Sequence, residues 1–130
     1  MKREIKFRAY SSHNHKMYPV SNIEWDIDGR IWVTADDGKN GIELIDEEAH
    51  LMQCTGLHDK NGREIYEGDV LDIGLRNQDG NPVIAPVSYE TYAAGYVLDN
   101  GGNGIWQRLT KDCEVIGNIF EDKQLLEGKQ

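Results

Sequence analysis

The sequence predicts a mainly β protein: a small barrel in the C-terminal part, an N-terminal β layer and a short C-terminal helix. Two observations carry this. Short apolar segments alternate with a period of two, and turn-forming clusters rich in Asp, Asn and Gly separate them at close spacing. Several such strands in succession are the pattern of a sandwich or a small barrel. At 130 residues the chain is long enough to bury a core without a metal or a disulfide staple.

The elements follow in order. Across residues 4–10, Ile5, Phe7 and Ala9 fall on one face, with Lys6, Arg8 and Tyr10 on the other. That alternation marks a half-buried strand with a solvated basic face. Ser11-Ser12-His13-Asn14-His15 reads as a turn into an extended piece over residues 16–20. Residues 23–26 and 30–34 flank Asp26-Ile27-Asp28-Gly29, and Asp-Gly supplies the positive φ that a tight hairpin needs. The hairpin then carries Trp25 and Trp32 on its arms. A second turn cluster at residues 36–41 precedes a short strand over 42–45, and another strand is expected over 51–55.

The pattern restarts at Thr55-Gly56, behind which Asn61-Gly62 and Gly68-Asp69 mark turns. Leu57, Ile65 and Val70 are the expected core residues of this stretch. A strand over 70–75 follows, then an exposed loop over 76–86 and strands over 87–92, 95–98, 105–109 and 113–120. The tail at 121–128 holds good helix formers, with Leu125 and Leu126 as its packing face. The expected division is a β hairpin layer at 1–50 and the barrel with its helix at 51–130, with one continuous domain as the alternative. Leu51, Val115 and Ile119 are the expected apolar partners of the first strand.

The formal net charge is −9, distributed as +3 over residues 1–8 and −12 over the rest. A body this acidic repels phosphates, which disfavours nucleic-acid binding driven by counterion release. No apolar run approaches the ~20 residues that span a bilayer, and the opening residues carry charges where a secretory signal needs an apolar stretch. The expected location is the cytosol, with no membrane association. Cys54 and Cys113 are then expected to be buried thiols, not a disulfide.

No motif brings chemistry with it. His13 and His15 could share a strand face and grip a metal, but no third ligand is implied and the pair lies in a turn. Asp26-Ile27-Asp28-Gly29 begins like a calcium loop, yet the sixth position is Ile31 and the twelfth is Asp37, where that loop needs glycine and glutamate. Gly101-Gly102-Asn103-Gly104 runs into Ile105-Trp106, a strand start and not the Gly-Lys-Ser/Thr of a phosphate loop. Cys54 or Cys113 with His50 or His58 could form a thiol and a base, but nothing in the sequence brings them together. No cofactor and no metal are expected, and the chain is expected not to be an enzyme.

Three segments together carry a family resemblance. They are Lys6-Phe7-Arg8-Ala9-Tyr10; Leu51-Met52-Gln53-Cys54-Thr55-Gly56-Leu57-His58-Asp59-Lys60-Asn61-Gly62-Arg63-Glu64-Ile65-Tyr66-Glu67-Gly68-Asp69-Val70; and Val115-Ile116-Gly117-Asn118-Ile119-Phe120-Glu121. The chain resembles the YopX family of phage and prophage proteins from Gram-positive bacteria. The resemblance implies a small barrel of the Src-homology-three-like class in the second part, and it implies no activity. The leading expectation is a non-enzymatic accessory protein that binds a host or phage protein, with Lys6, Arg8, Tyr10, Trp25 and Trp32 as candidate partner-binding residues. The alternatives are a nucleic-acid module using the basic first strand, or an acidic DNA mimic acting on a host DNA-binding enzyme. Homo-oligomers stay open.

Overall fold

The computed structural model describes residues 5–36, 38–39, 41–90, 94–99, 106–107 and 112–127. The chain divides into two units, residues 1–54 and 55–130.

The first unit is a meandering antiparallel sheet. Its strands are β1 (Phe7–Ser11), β2 (Lys16–Trp25), β3 (Ile31–Asp36), β4 (Gly41–Ile45) and the first part of β5 (Ala49–His58), in the order β4-β3-β2-β1-β5. The pairing of Ala9 with Tyr18 and with Leu51, and of Val33 with Leu44, puts these residues on one face. There Ala9, Tyr18, Val33, Ala35, Leu44 and Ala49 form the core, with Val20, Ile31, Ile42 and Leu51 packed against it. The alternation expected in the first strand holds for Ala9 but is displaced at its start. Ile5 precedes β1 and is 65% exposed, while Ser11 is fully buried. A side-chain hydroxyl is tolerated at that depth because Ser11 Oγ accepts the Asn14 N–H at 3.0 Å. Leu51 is indeed opposite Ala9, whereas Val115 packs in the second unit's cluster.

The second unit holds β6 (Glu64–Tyr66), which lies beside the end of β5, and a five-stranded antiparallel sheet. The latter comprises β7 (Asp69–Arg76), β8 (Pro82–Glu90), β9 (Gly95–Asp99), β10 (Trp106–Gln107) and β11 (Glu114–Asn118), in the order β10-β9-β8-β7-β11. Its core is Ile65, Leu71, Ala85, Val87, Leu98 and Cys113. Leu57, expected inside, is 48% exposed. One helical turn, α1 (Gln124–Glu127), follows; the Leu126 side chain lies outside the described residues.

Two further expectations need correction. The loop expected over 76–86 is mostly strand: a tight turn at residues 77–81 leads straight into β8. Two prolines in this stretch argue against a strand, but Pro82 is the first residue of β8, and Pro86 sits where β8 hands over from β7 to β9. Val70 pairs with Pro86 on one side, and pairing to β9 begins at Val87.

The sheet is also not a closed barrel among the described residues, since β10 and β11 are its two edges. The outward side of β11 is already occupied. Cys113 C=O accepts the Lys60 N–H at 2.9 Å, Val115 N–H donates to Asp59 Oδ2 at 2.9 Å, and Val115 C=O accepts from Arg63 Nη1 at 3.2 Å. The turn at residues 59–63 thus takes the hydrogen bonds a closing strand would need.

That turn is one of three built alike among the described residues. In Asp26-Ile27-Asp28-Gly29-Arg30, Asp59-Lys60-Asn61-Gly62-Arg63 and Asn77-Gln78-Asp79-Gly80-Asn81, the first side chain accepts the N–H groups two and four residues on. The glycine stands at φ of 84°, 84° and 80° respectively, a conformation in which any Cβ is strained.

Candidate functional site

The five candidate residues lie in the first unit and do not form one patch. Arg8 pairs with Pro19 and Met52, and Tyr10 with Met17 and His50, so both project from the face opposite the core; Lys6 follows by alternation. This is not a solvated basic strip, because Lys6, Arg8 and Tyr10 are all half-buried, and Met52 and Cys54 on the same face of β5 are buried. Tyr10 stacks at a tilt of 46° on His50, with ring centroids 6.3 Å apart, and its hydroxyl meets His15 Nδ1 at 3.4 Å.

Trp32 pairs with Glu24 and Ile45, and Trp25 with Ile31. Adjacent rungs of a ladder face opposite ways, so the two indoles stand on opposite faces of the hairpin. Trp32 shares the outward face with Arg8 and Tyr10. Trp25, on the core side, stands at the hairpin end and is 67% exposed.

The turn between β2 and β3 is held from inside by one carboxylate. Asp26 Oδ1 accepts the Asp28 N–H at 2.9 Å and the Arg30 N–H at 3.0 Å. Its Oδ2 accepts from Trp32 Nε1 at 3.2 Å and Arg30 Nε at 3.3 Å. The Trp32 indole, opposed by slight burial and joined by the two backbone N–H groups and the Arg30 charge, holds the Asp26 carboxyl below its usual 3.8. A side chain that candidate-site reasoning missed sits on this turn: Ile27 is 100% exposed. The signal was available, since a β-branched apolar residue between two aspartates in a hairpin turn has no fold reason to be apolar.

A prediction follows for this turn. A carboxyl depressed in the fold stabilises above 3.8 and loses that contribution as pH falls through its lower folded value. The Trp32 indole N–H resonance should therefore shift with an inflection below pH 3.8. The inflection should vanish in Asp26→Asn; one at or above 3.8 would show that the indole does not bind the carboxylate.

The other candidate chemistry is dispersed. His13 and His15 lie exposed in the β1–β2 turn. Cys54 and Cys113 are both buried and not joined in a disulfide. Among the described residues no group of three His, Cys, Asp or Glu side chains could hold a metal ion, and no helix is long and apolar enough to cross a membrane. A shallow hollow of about 500 Å³ is lined by Lys16, Met17, Tyr18, Pro19, Asp36 and Gly38.

The buried polar groups of the second unit serve its backbone. Asp59 is described above; Asp69 Oδ2 accepts the Tyr66 N–H at 2.8 Å. Asn118 Oδ1 accepts the N–H groups of Phe120 and Glu121 at 3.0 and 2.8 Å.

Comparison with known proteins places this arrangement. The family model described as YopX protein matches residues 6–127. The chain belongs to the YopX family. The crystal structure of protein EF1440 from Enterococcus faecalis is similar in fold, with a TM-score of 0.66 at 22% identity, covering 96% of this chain and 99% of that one. No curated protein matches the chain. The long YopX-like segment over residues 51–70 thus contains the edge-capping turn at 59–63 and the Gly68-Asp69 turn, which are parts of the fold.

Proposed function

We propose that this YopX-family chain is a non-enzymatic accessory protein of a phage or prophage, acting in the bacterial cytosol by binding a host or phage protein through its first unit. The observation that carries the reading is the β2–β3 turn. Trp25 and Ile27, 67% and 100% exposed, flank and crown a turn whose backbone and Arg30 are locked onto Asp26. An exposed apolar anchor on a backbone already held in place loses less entropy on binding than one on a loose loop, which suits an interface hot spot. The buried carboxylates Asp59 and Asp69 are engaged by backbone N–H groups, which favours binding over acid–base chemistry. In the same reading the second unit is an open member of the Src-homology-three-like class: β11 returns beside β7, the arrangement that precedes closure. Leu125 of the helical turn then packs over Gly117.

A photoreactive amino acid at position 27, activated in cells carrying the phage or prophage, tests this. The expected result is one dominant protein adduct, lost in the Trp25→Ala background. Adducts to DNA, or a diffuse set unchanged by Trp25→Ala, would overturn it.

A further inference from the structure

Among the described residues, backbone hydrogen bonding at the sheet edges points to one opening. β6 and β10 are three and two residues long, and the outer side of β11 is taken by the turn at 59–63. β4 is different: five residues long, it ends its sheet with β3 on one side and no strand on the other among the described residues.

The direction of its backbone groups follows from two contacts. Thr34 C=O accepts from Ser21 Oγ at 3.2 Å, so it points toward β2 and away from β4. Thr34 and Glu43, which are paired, are then a non-hydrogen-bonded pair, and Glu43's own N–H and C=O point outward. Ile45, two residues on, agrees, because its N–H leaves the ladder to meet Glu48 Oε1 at 2.7 Å. Gly41 by the same parity also faces outward. The side chains alternate across this edge: Ile42 and Leu44 belong to the core face, while Glu43 is exposed on the other and makes no ion pair or hydrogen bond among the described residues.

We propose that β4 is a strand-addition site, taking one extended segment of a partner protein with a Lys or Arg opposite Glu43 and apolar residues opposite Ile42 and Leu44. The inference rests on the protein-binding reading and names its mode. Main-chain bonds to Gly41 and Glu43 supply affinity, and the alternating side chains supply specificity. Charge decides against a second copy. Antiparallel self-pairing over the full strand sets Glu43 against Glu43 of the other copy, a destabilising like-charge pair, between bodies that each carry −9. The same carboxylate that blocks self-association attracts a basic strand.

The test is amide exchange by NMR on the full chain, titrated with a blocked eight-residue peptide of alternating valine and lysine and with its valine–glutamate counterpart. The valine–lysine peptide should slow exchange at Gly41 and Glu43 and bind about fivefold more tightly than its counterpart. Glu43→Lys should reverse that preference. Glu43→Pro, which removes an outward N–H the β3 ladder does not use, should abolish protection while the spectrum stays folded. Unchanged exchange at Gly41 and Glu43 would overturn the inference, as would protection that rises with protein concentration alone. Peptide seated elsewhere on the first unit would overturn strand addition at β4 while leaving the protein-binding reading standing; that reading fails separately, in the cross-linking experiment.

Discussion

Replacing Asp59 by alanine is expected to cost about 3 kcal/mol of folding stability, the scale of several charge-assisted hydrogen bonds removed together. One carboxylate, 6% exposed, accepts the N–H groups of Asn61 and Arg63 through Oδ1 and that of Val115 through Oδ2, each at 2.9 Å. The first two define the turn, and the third seals the outer side of β11. Asparagine is a graded control that the chain itself supplies. Asn77 Oδ1 makes the equivalent two turn bonds at 2.9 and 3.1 Å, so Asp59→Asn keeps the turn and loses the Val115 bond, at about 1 kcal/mol. Urea midpoints check the ranking, and equal losses for the two variants would show that the Val115 bond dominates. The pH dependence has a definite sign. Burial raises the Asp59 carboxyl, but the N–H groups of Val115, Arg63 and Asn61, with the Arg63 charge, outweigh it and leave it below 3.8. Its contribution is full above 3.8 and is lost as pH falls through the lower folded value. Asp59→Asn should therefore show a shallower loss of stability in acid than the parent.

Gly117→Ala should cost about 2 kcal/mol of folding stability. A Cβ there would stand 2.7 Å from both Asp122 Oδ2 and Leu125 Cδ1. Asp122 does not retreat freely, whereas Leu125 Cδ1 is a side-chain end that can turn away. Asp122 Oδ2 accepts the Asn118 N–H at 3.1 Å, and the Leu125 N–H is bonded to Asp122 C=O at 3.0 Å. The Asn118 amide should lose exchange protection in the variant. Asp122→Ala removes the obstacle along with its bond, so Gly117→Ala and Asp122→Ala combined should cost less than the sum of the two. Strict additivity would mean that the clash with Asp122 is not the cause.

The turns were the most legible part of the fold. Asp26-Ile27-Asp28-Gly29 and Asn61-Gly62 announce themselves because a side-chain oxygen three residues before a positive-φ glycine is a local requirement. The third turn, at Asn77, was obscured by Pro82, whose position at the very start of β8 depends on where pairing begins. Of the candidate site, Trp25 and Trp32 were correctly placed on hairpin arms, but a shared patch does not follow from being on adjacent arms. Pairing of Trp25 with Ile31 and of Trp32 with Glu24 sends them to opposite faces, and register is a property of two strands together.

The sequence by itself determined the β class, the hairpin at residues 26–30, the acidic charge and the family, because each depends on alternation, on glycine positions or on a contiguous motif. Only the tertiary structure decided that Leu57 is outside, that Lys6 and Arg8 are half-buried, and that the second sheet is open among the described residues. Those outcomes depend on which groups meet across long sequence separations. Asp59 reaching Val115 caps an edge that its own neighbours in the chain could not identify. The loop-closure entropy of such a contact is offset by bonds whose partners local sequence does not specify.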